Sequence, residues 1–228
     1  MPTAIHVLAF ANMQILDVTG PLQVFASAND IARQRGLPVP YAPSVIASEG
    51  GAVMSSAGLA VLAEPLPQQA SDTLIIAGGW GVYAAAQDAP LVAWVREHAR
   101  GCRRVSSVCT GAFLLGRAGL LEGKCATTHW AYTHLLPLVG ARHVAERVVE
   151  DGNVITAGGV TAGIDFALTL TARYAGEEAA RRVQLALEYD PHPPFDSGTP
   201  SAAGEEQTRG LREHIYDAAA ARMVAALV

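Results

Sequence analysis

At 228 residues, half of them hydrophobic, the chain suits one medium α/β domain, or at most two small ones, and buries a sizeable core without disulfide staples. Its net charge of −5 and the lack of any basic run speak against a nucleic-acid surface. Three cysteines (Cys102, Cys109, Cys125) without framework spacing, no charged-then-apolar leader and no apolar run near the ~18–20 residues of a membrane span indicate a soluble protein of a reducing, cytoplasmic compartment.

Ala4 to Phe10 is a near-continuous apolar run of strand length, as a buried parallel strand requires. A loop follows, then Ile15-Leu16-Asp17-Val18-Thr19-Gly20-Pro21. Thr19 or Gly20 is the expected N-cap and Pro21 the first helical turn of a helix running to about Arg35. Asp17 is one acid between two apolar residues. It reads either as a proton-exchanging group with a raised pKa or as a helix N-terminal acid serving the dipole. Tyr41 to Ser48 is a second strand, and Val53–Ser56 with Leu59–Leu62 a short hairpin about Ala57-Gly58.

Asp72 to Ala77 is the next strand, and it runs into Gly78-Gly79-Trp80-Gly81. Glycines at a strand's carboxyl end admit close approach to a ligand, or they serve a simple turn. The stretch is neither a G-x-G-x-x-G fingerprint nor a P-loop. Trp80 either walls a pocket or covers the loop. Ala89 to Arg100 reads as a helix. Cys102, beside Arg103 and Arg104, reads as a surface thiol.

Val105 to Val108 is a strand, Cys109 a sharp corner, and Thr110 to Gly116 a helix of small and apolar residues. Ser107-Val108-Cys109-Thr110-Gly111 has the small-x-nucleophile-x-Gly form of a nucleophile elbow, with cysteine in the place of serine. The helix N-terminus is expected to favour thiolate over thiol. A buried, inert core cysteine is the competing reading. Lys124 to Thr127 is a short strand and His129 to Leu136 a helix; Glu146 to Thr156 is a hairpin with an Asp-Gly turn. Thr161 to Tyr174 is an apolar helix in which Asp165 reads as a buried hydrogen-bond partner. Glu177 to Tyr189 is amphipathic, Ser197 to Glu206 a polar loop, and about Thr208 to Ala226 a final helix.

Strands alternating with helices predict a parallel sheet covered on both faces, with ligands at the strands' carboxyl ends. Asp17, Gly78-Gly79 and Cys109 all follow predicted strands at that edge. Their convergence points to a cysteine–acid site. Cys125 and His129 lie four apart with no second pair, so no metal site is expected.

The stretches Ile15–Pro21, Ile76–Gly79, Ser107–Gly111, Ala126-Thr127-Thr128-His129-Trp130-Ala131 and Gly158–Asp165 resemble the ThiJ/PfpI family of the class I glutamine amidotransferase-like superfamily. Arg182–Leu185, Glu188-Tyr189 and Pro193-Pro194-Phe195 are similar to its isocyanide hydratases. The resemblance implies a flavodoxin-like three-layer α/β sandwich with a mostly parallel central sheet, one domain over 1–228 (core about 4–190, C-terminal loop and helix about 191–228), and a homodimer. It implies Cys109 as nucleophile and Asp17 as the acid beside it; most relatives carry Glu there, and Asp favours the hydratase branch. The family's proteases place His after the nucleophile, where this chain has Thr110.

On that resemblance the expected activity is addition of water to an isonitrile, giving an N-substituted formamide. Cys109 attacks the isonitrile carbon, Asp17 exchanges protons, and Thr110 hydrogen-bonds Asp17 or the water. Gly78, Gly79, Trp80 and Gly159 are the expected substrate and oxyanion contacts, with the Gly79 and Thr110 amides holding developing charge. His129 is a minor candidate base. No cofactor is required, and the expected partner is a small molecule, with neither nucleic acid nor membrane. The alternatives are a small-molecule or redox sensor without catalysis and an amidase or glyoxalase-like enzyme. Relatives of the sensor kind carry AraC-type DNA-binding regions that need more chain after Pro200 than the run to Val228.

Overall fold

The apolar run at the start of the chain forms β1 (Thr3–Leu8), which lies fifth from one edge and fourth from the other of an eight-stranded sheet. The computed structural model describes residues 1–227. With β2 (Tyr41–Ala47), β3 (Gly51–Met54), β4 (Ala60–Pro65), β5 (Thr73–Ile76), β6 (Arg104–Val108), β9 (Val148–Asp151) and β10 (Val154–Ala157), the strand order is β3-β4-β2-β1-β5-β6-β10-β9. The pairings from β4 to β10 are parallel; β3 and β9 close the two edges in antiparallel register. A separate two-stranded piece joins β7 (Cys125–Ala126) to β8 (Arg142–His143).

Helices α1 (Ile15–Gln34), α5 (Ala162–Ala175) and α6 (Glu177–Ala186) cover one face, where Val24, Phe25, Phe166, Leu170 and Val183 meet Ile5, Val7 and Ile75. On the other face lie α2 (Val82–Gln87), α3 (Ala89–Gly101), α4 (Ala112–Arg117) and the C-terminal α9 (Asp217–Leu227). There Leu91, Val95, Phe113, Leu115 and Met223 pack on Leu8, Leu74 and Ile76. Alternate residues of β1 and β5 thus feed opposite cores, which is why these strands read as unbroken apolar runs. The architecture is the expected three-layer sandwich. Chain direction from β1 goes to β2 on one side and to β5 on the other, so the crevice above β1 and β5 is the topological switch point.

Several elements depart from the sequence reading. Helix α1 begins at Ile15, six residues before Pro21, with Gln14 as N-cap; the Asp17 N–H closes the first turn on the Gln14 carbonyl at 3.0 Å. Pro21, at the seventh helical position, gives up a bond to the Asp17 carbonyl and crowds it with its ring, and tertiary packing of Val18, Val24 and Phe25 outweighs that loss. Asp17 therefore sits inside the first turn. The Ala-rich helix α2 was not foreseen. Trp130–Val139 winds as a 3₁₀ segment holding Pro137 rather than as an α-helix. Pro200–Ala203 (α7) falls within the expected polar loop, and the last helix starts at Glu205 (α8, Glu205–Leu211), reaching α9 through a π-helical stretch at Arg212–Tyr216.

Two side chains differ as well. Cys102 is buried, its Sγ 3.3 Å from the His98 carbonyl, because α3 ends by folding that residue under Ser71. Asp165 is not buried. It pairs with Arg147 at 2.5 Å and accepts from the Tyr189 hydroxyl at 3.2 Å at the surface.

Candidate active site

Strand β6 delivers Cys109 to the corner with φ +56°, a left-handed backbone that costs a non-glycine residue roughly 1–3 kcal/mol. The surroundings hold it there. The Cys109 N–H donates to the Gly158 carbonyl at 2.9 Å, and the buried Thr128 hydroxyl donates to the Cys109 carbonyl at 2.7 Å. Gly111 is required because a Cβ there would collide with the Ile76 carbonyl oxygen. The sequence form of an elbow and its backbone agree, and the sulfur comes to the carboxyl edge of the sheet.

Asp17, fully buried in the first turn of α1, lies near enough to Cys109 for its charge to act on the thiol. Its Oδ2 accepts the Gly78 N–H at 2.9 Å, and its Oδ1 has no hydrogen-bond partner among the described residues. Burial pushes its pKa up to about 7, against the smaller opposite pull of the Gly78 amide. Burial also raises the Cys109 thiol, and the negative charge of Asp17 raises it further; the Val160 and Thr110 amides and the Thr110 hydroxyl work the other way. The expectation that the helix N-terminus leaves a free thiolate does not hold, because desolvation outweighs the amides. Two negative charges do not coexist in this space, so above about pH 7 the pair carries one proton between sulfur and carboxylate.

Thr110 does not bond to Asp17. Its hydroxyl accepts the Gly79 N–H at 2.9 Å and donates to the Gly79 carbonyl at 3.3 Å. The Gly79 amide is consequently occupied, and the Gly78 amide is held by Asp17, so neither is free for developing charge. Both glycines are needed for closeness instead. A Cβ on Gly78 would lie 2.6 Å from the Thr110 nitrogen, and one on Gly79, at φ +122°, would collide with the Gln14 backbone nitrogen. The amides that face the sulfur belong to Thr110 and to Val160, itself at φ +34°. Sequence reasoning missed Val160 by one residue, since the signal lay in the glycines before it. Gly159 makes room for His129: a Cβ there would stand 2.7 Å from the ring's Cδ2.

Above the thiol lies a cavity of about 80 Å³ lined by Gln14, Gly79, Trp80, Cys109, Thr110, His129, Tyr132, Val160 and Tyr216. Burial lowers the His129 pKa to about 4, so the ring is neutral at pH 7, and its Nδ1 accepts the Ala131 N–H at 3.3 Å. A neutral ring of that acidity is a poor base and a good hydrogen-bond donor through Nε2. Trp80 does wall the cavity, stacked on Tyr216 with centroids 5.9 Å apart. Tyr132 sits in the 3₁₀ segment beside a motif already singled out. Tyr216 comes from the far end of the chain, and nothing in its helical surroundings marked it. Among the described residues no group of three or more His, Cys, Asp or Glu could hold a metal ion, and no helix is long and apolar enough to cross a membrane.

Residues 3–173 match the model of the DJ-1/PfpI family. The chain is 42% identical over 235 aligned residues to an isonitrile hydratase of Pseudomonas putida, covering 98% of this chain and 99% of that one. It is 33% identical to the HTH-type transcriptional regulator CdhR of Pseudomonas aeruginosa, covering 63% of this chain but 44% of the regulator. The crystal structure of a ThiJ/PfpI family protein from Pseudomonas syringae superposes with a TM-score of 0.90 at 32% identity, covering 99% of this chain and 91% of that one. The helix bearing Tyr216 lies beyond the stretch the family model matches and within the match to the hydratase.

Proposed function

Because the chain belongs to the DJ-1/PfpI family, and its site joins an elbow cysteine to a buried acid, we propose that it is a cysteine-dependent isonitrile hydratase acting on a small-molecule R–N≡C. The observation that carries the reading is Asp17: a carboxyl group with a pKa of about 7, one oxygen unpartnered, whose charge reaches the Cys109 thiol. The regulator match favours a sensor less, since it covers under half of that relative while the hydratase match covers nearly all of its own.

In the proposed cycle the thiol proton passes toward Asp17 as Sγ bonds to the terminal carbon. The same proton then goes from Asp17 to that carbon, giving the thioimidate R–N=CH–S–Cys109. Water adds to the carbon while its proton reaches the nitrogen, with Asp17 as acceptor on the way. Collapse of R–NH–CH(OH)–S–Cys109 expels the thiolate, forms the formamide carbonyl and returns the hydroxyl proton to the Cys109–Asp17 pair. The Thr110 and Val160 amides hold charge on sulfur as it departs. Thr110 acts by locking Gly79, and with it the loop that bonds Asp17. A reducing, cytoplasmic setting suits a site built on a free thiol, and the proposal includes a homodimer, for which sedimentation is expected to give twice the 23.8 kDa of one chain.

The adduct is the test. Acid-quenched wild type mixed with an isonitrile is expected to gain the mass of one isonitrile on Cys109, and Cys109→Ala to gain none. An unmodified wild-type chain during turnover would exclude covalent catalysis by Cys109.

A further inference from the structure

The cycle leaves the nitrogen of the isonitrile without a partner. Asp17 is fully buried and is not part of the cavity wall, so it reaches sulfur and carbon from beneath. The nitrogen and its substituent must point the other way, into the cavity. What meets them there is a set of aromatic rings gathered about Tyr216. Its ring lies 5.9 Å from Trp80, 5.1 Å from His129, 5.3 Å from Trp130 and 5.9 Å from Tyr132, between centroids. Among the described residues no other aromatic ring pairs with all four, and Tyr216 reaches the wall from the C-terminal helical run.

Two further observations bear on its hydroxyl. It has no hydrogen-bond partner among the described residues, although it lines a cavity with the nucleophile at its base. A phenol O–H that finds no protein acceptor beside an apolar pocket is available to a ligand. The charge of Cys109 also reaches it, raising the Tyr216 pKa after burial, so the phenol stays protonated at neutral pH and can only donate when a neutral nitrogen faces it. The backbone bearing it is a π-helical stretch, Arg212–Tyr216, interrupting an otherwise α-helical run from Glu205 to Leu227, and such stretches recur where a helix aims a residue at a site. Arg212 lies over the Trp130 ring at 5.6 Å and ties the same stretch to the cavity rim.

We propose that Tyr216 is a specificity-determining and catalytic residue: its ring walls the cavity over Cys109 and packs against a flat substituent, and its hydroxyl donates a hydrogen bond to the substrate nitrogen. The inference rests on the hydratase reading. The nitrogen gains electron density when sulfur attacks the neighbouring carbon, so the bond strengthens toward the transition state and acts on kcat more than on KM. The ring also bears on size, because it stands in the wall of the cavity over Cys109 and a bulky substituent meets it there. The substrate class is therefore an isonitrile whose substituent packs against aromatic rings.

Three proteins decide the matter: wild type, Tyr216→Phe and Tyr216→Ala, each assayed with phenyl isonitrile and a naphthyl isonitrile, with the rate of Cys109 alkylation by iodoacetamide as a check that the elbow is intact. Tyr216→Phe is expected to lose roughly tenfold in kcat on phenyl isonitrile with KM nearly unchanged, at an unaltered alkylation rate. Tyr216→Ala is expected to raise the naphthyl-to-phenyl ratio of kcat/KM. Wild-type kcat in Tyr216→Phe, or an unchanged ratio in Tyr216→Ala, overturns the inference and leaves the hydratase reading standing. An inactive wild type with reactive Cys109 overturns both.

Discussion

A carboxyl group at Asp17 that is buried, single-partnered and close to a thiol governs the chemistry and also the pH response. Its folded pKa, about 7, lies above the ordinary 3.8, so the folded chain holds the proton more tightly. The stability this confers is complete below about pH 4 and is lost as pH rises through about 7. An Asn at this position keeps an acceptor for the Gly78 amide and cannot ionise. Asp17→Asn is therefore expected to lose more than about a hundredfold in turnover, yet to gain stability over wild type between pH 4 and 8, read as a widening gap in urea midpoints. A gap that narrows as pH rises would contradict the assigned direction. In wild type, kcat/KM should climb as pH passes about 7, when the Cys109–Asp17 pair sheds its first proton.

Between elements, the site depends on how closely the exits of β1, β5 and β6 approach each other. The Gln14 N–H donates to the Gly78 carbonyl at 2.8 Å, and the Gly79 N–H to the Thr110 hydroxyl, so the three loops are tied by contacts that leave no space for a side chain on Gly78 or Gly79. Gly79→Ala forces a Cβ into the Gln14 backbone at a positive φ, and the β1–α1 loop must move. The expected cost is about 3 kcal/mol or more in chemical denaturation, together with loss of the Asp17 contact. A cost under about 1 kcal/mol would mean that the loops have slack. The sequence pattern showed these glycines as special without showing the reason. Three glycines among four residues signal close approach equally well to a ligand or to another loop, and here the loop accounts for it.

Across the whole molecule, the sheet, its two helical faces and the carboxyl-edge site were legible because strand and helix periods alternate along the chain and the elbow has its own spacing. Cys109 and Asp17 stood out since each breaks an apolar context right after a strand. Val160, Tyr132 and Tyr216 did not. A backbone amide leaves no mark on side-chain pattern, and Tyr216 lies over a hundred positions from the elbow, brought to it by packing of the last helix on α2 and the 3₁₀ segment. Cys102 misled because two neighbouring arginines suggested a surface that the end of α3 folds away. The direction of the Cys109 pKa was hidden for a related reason. A helix N-terminus is visible in sequence, whereas the desolvation that outweighs it is a property of the assembled core.

The central claim, that Cys109 and Asp17 together hydrate isonitriles, is tested most directly by formamide release from phenyl isonitrile. Purified wild type, Cys109→Ala and Asp17→Asn are compared at pH 8, where the pair holds a single proton. The account predicts steady formamide production by wild type and loss of at least about a hundredfold in each variant. Production by Cys109→Ala at the wild-type rate, or none by a wild type whose thiol still alkylates, would contradict it.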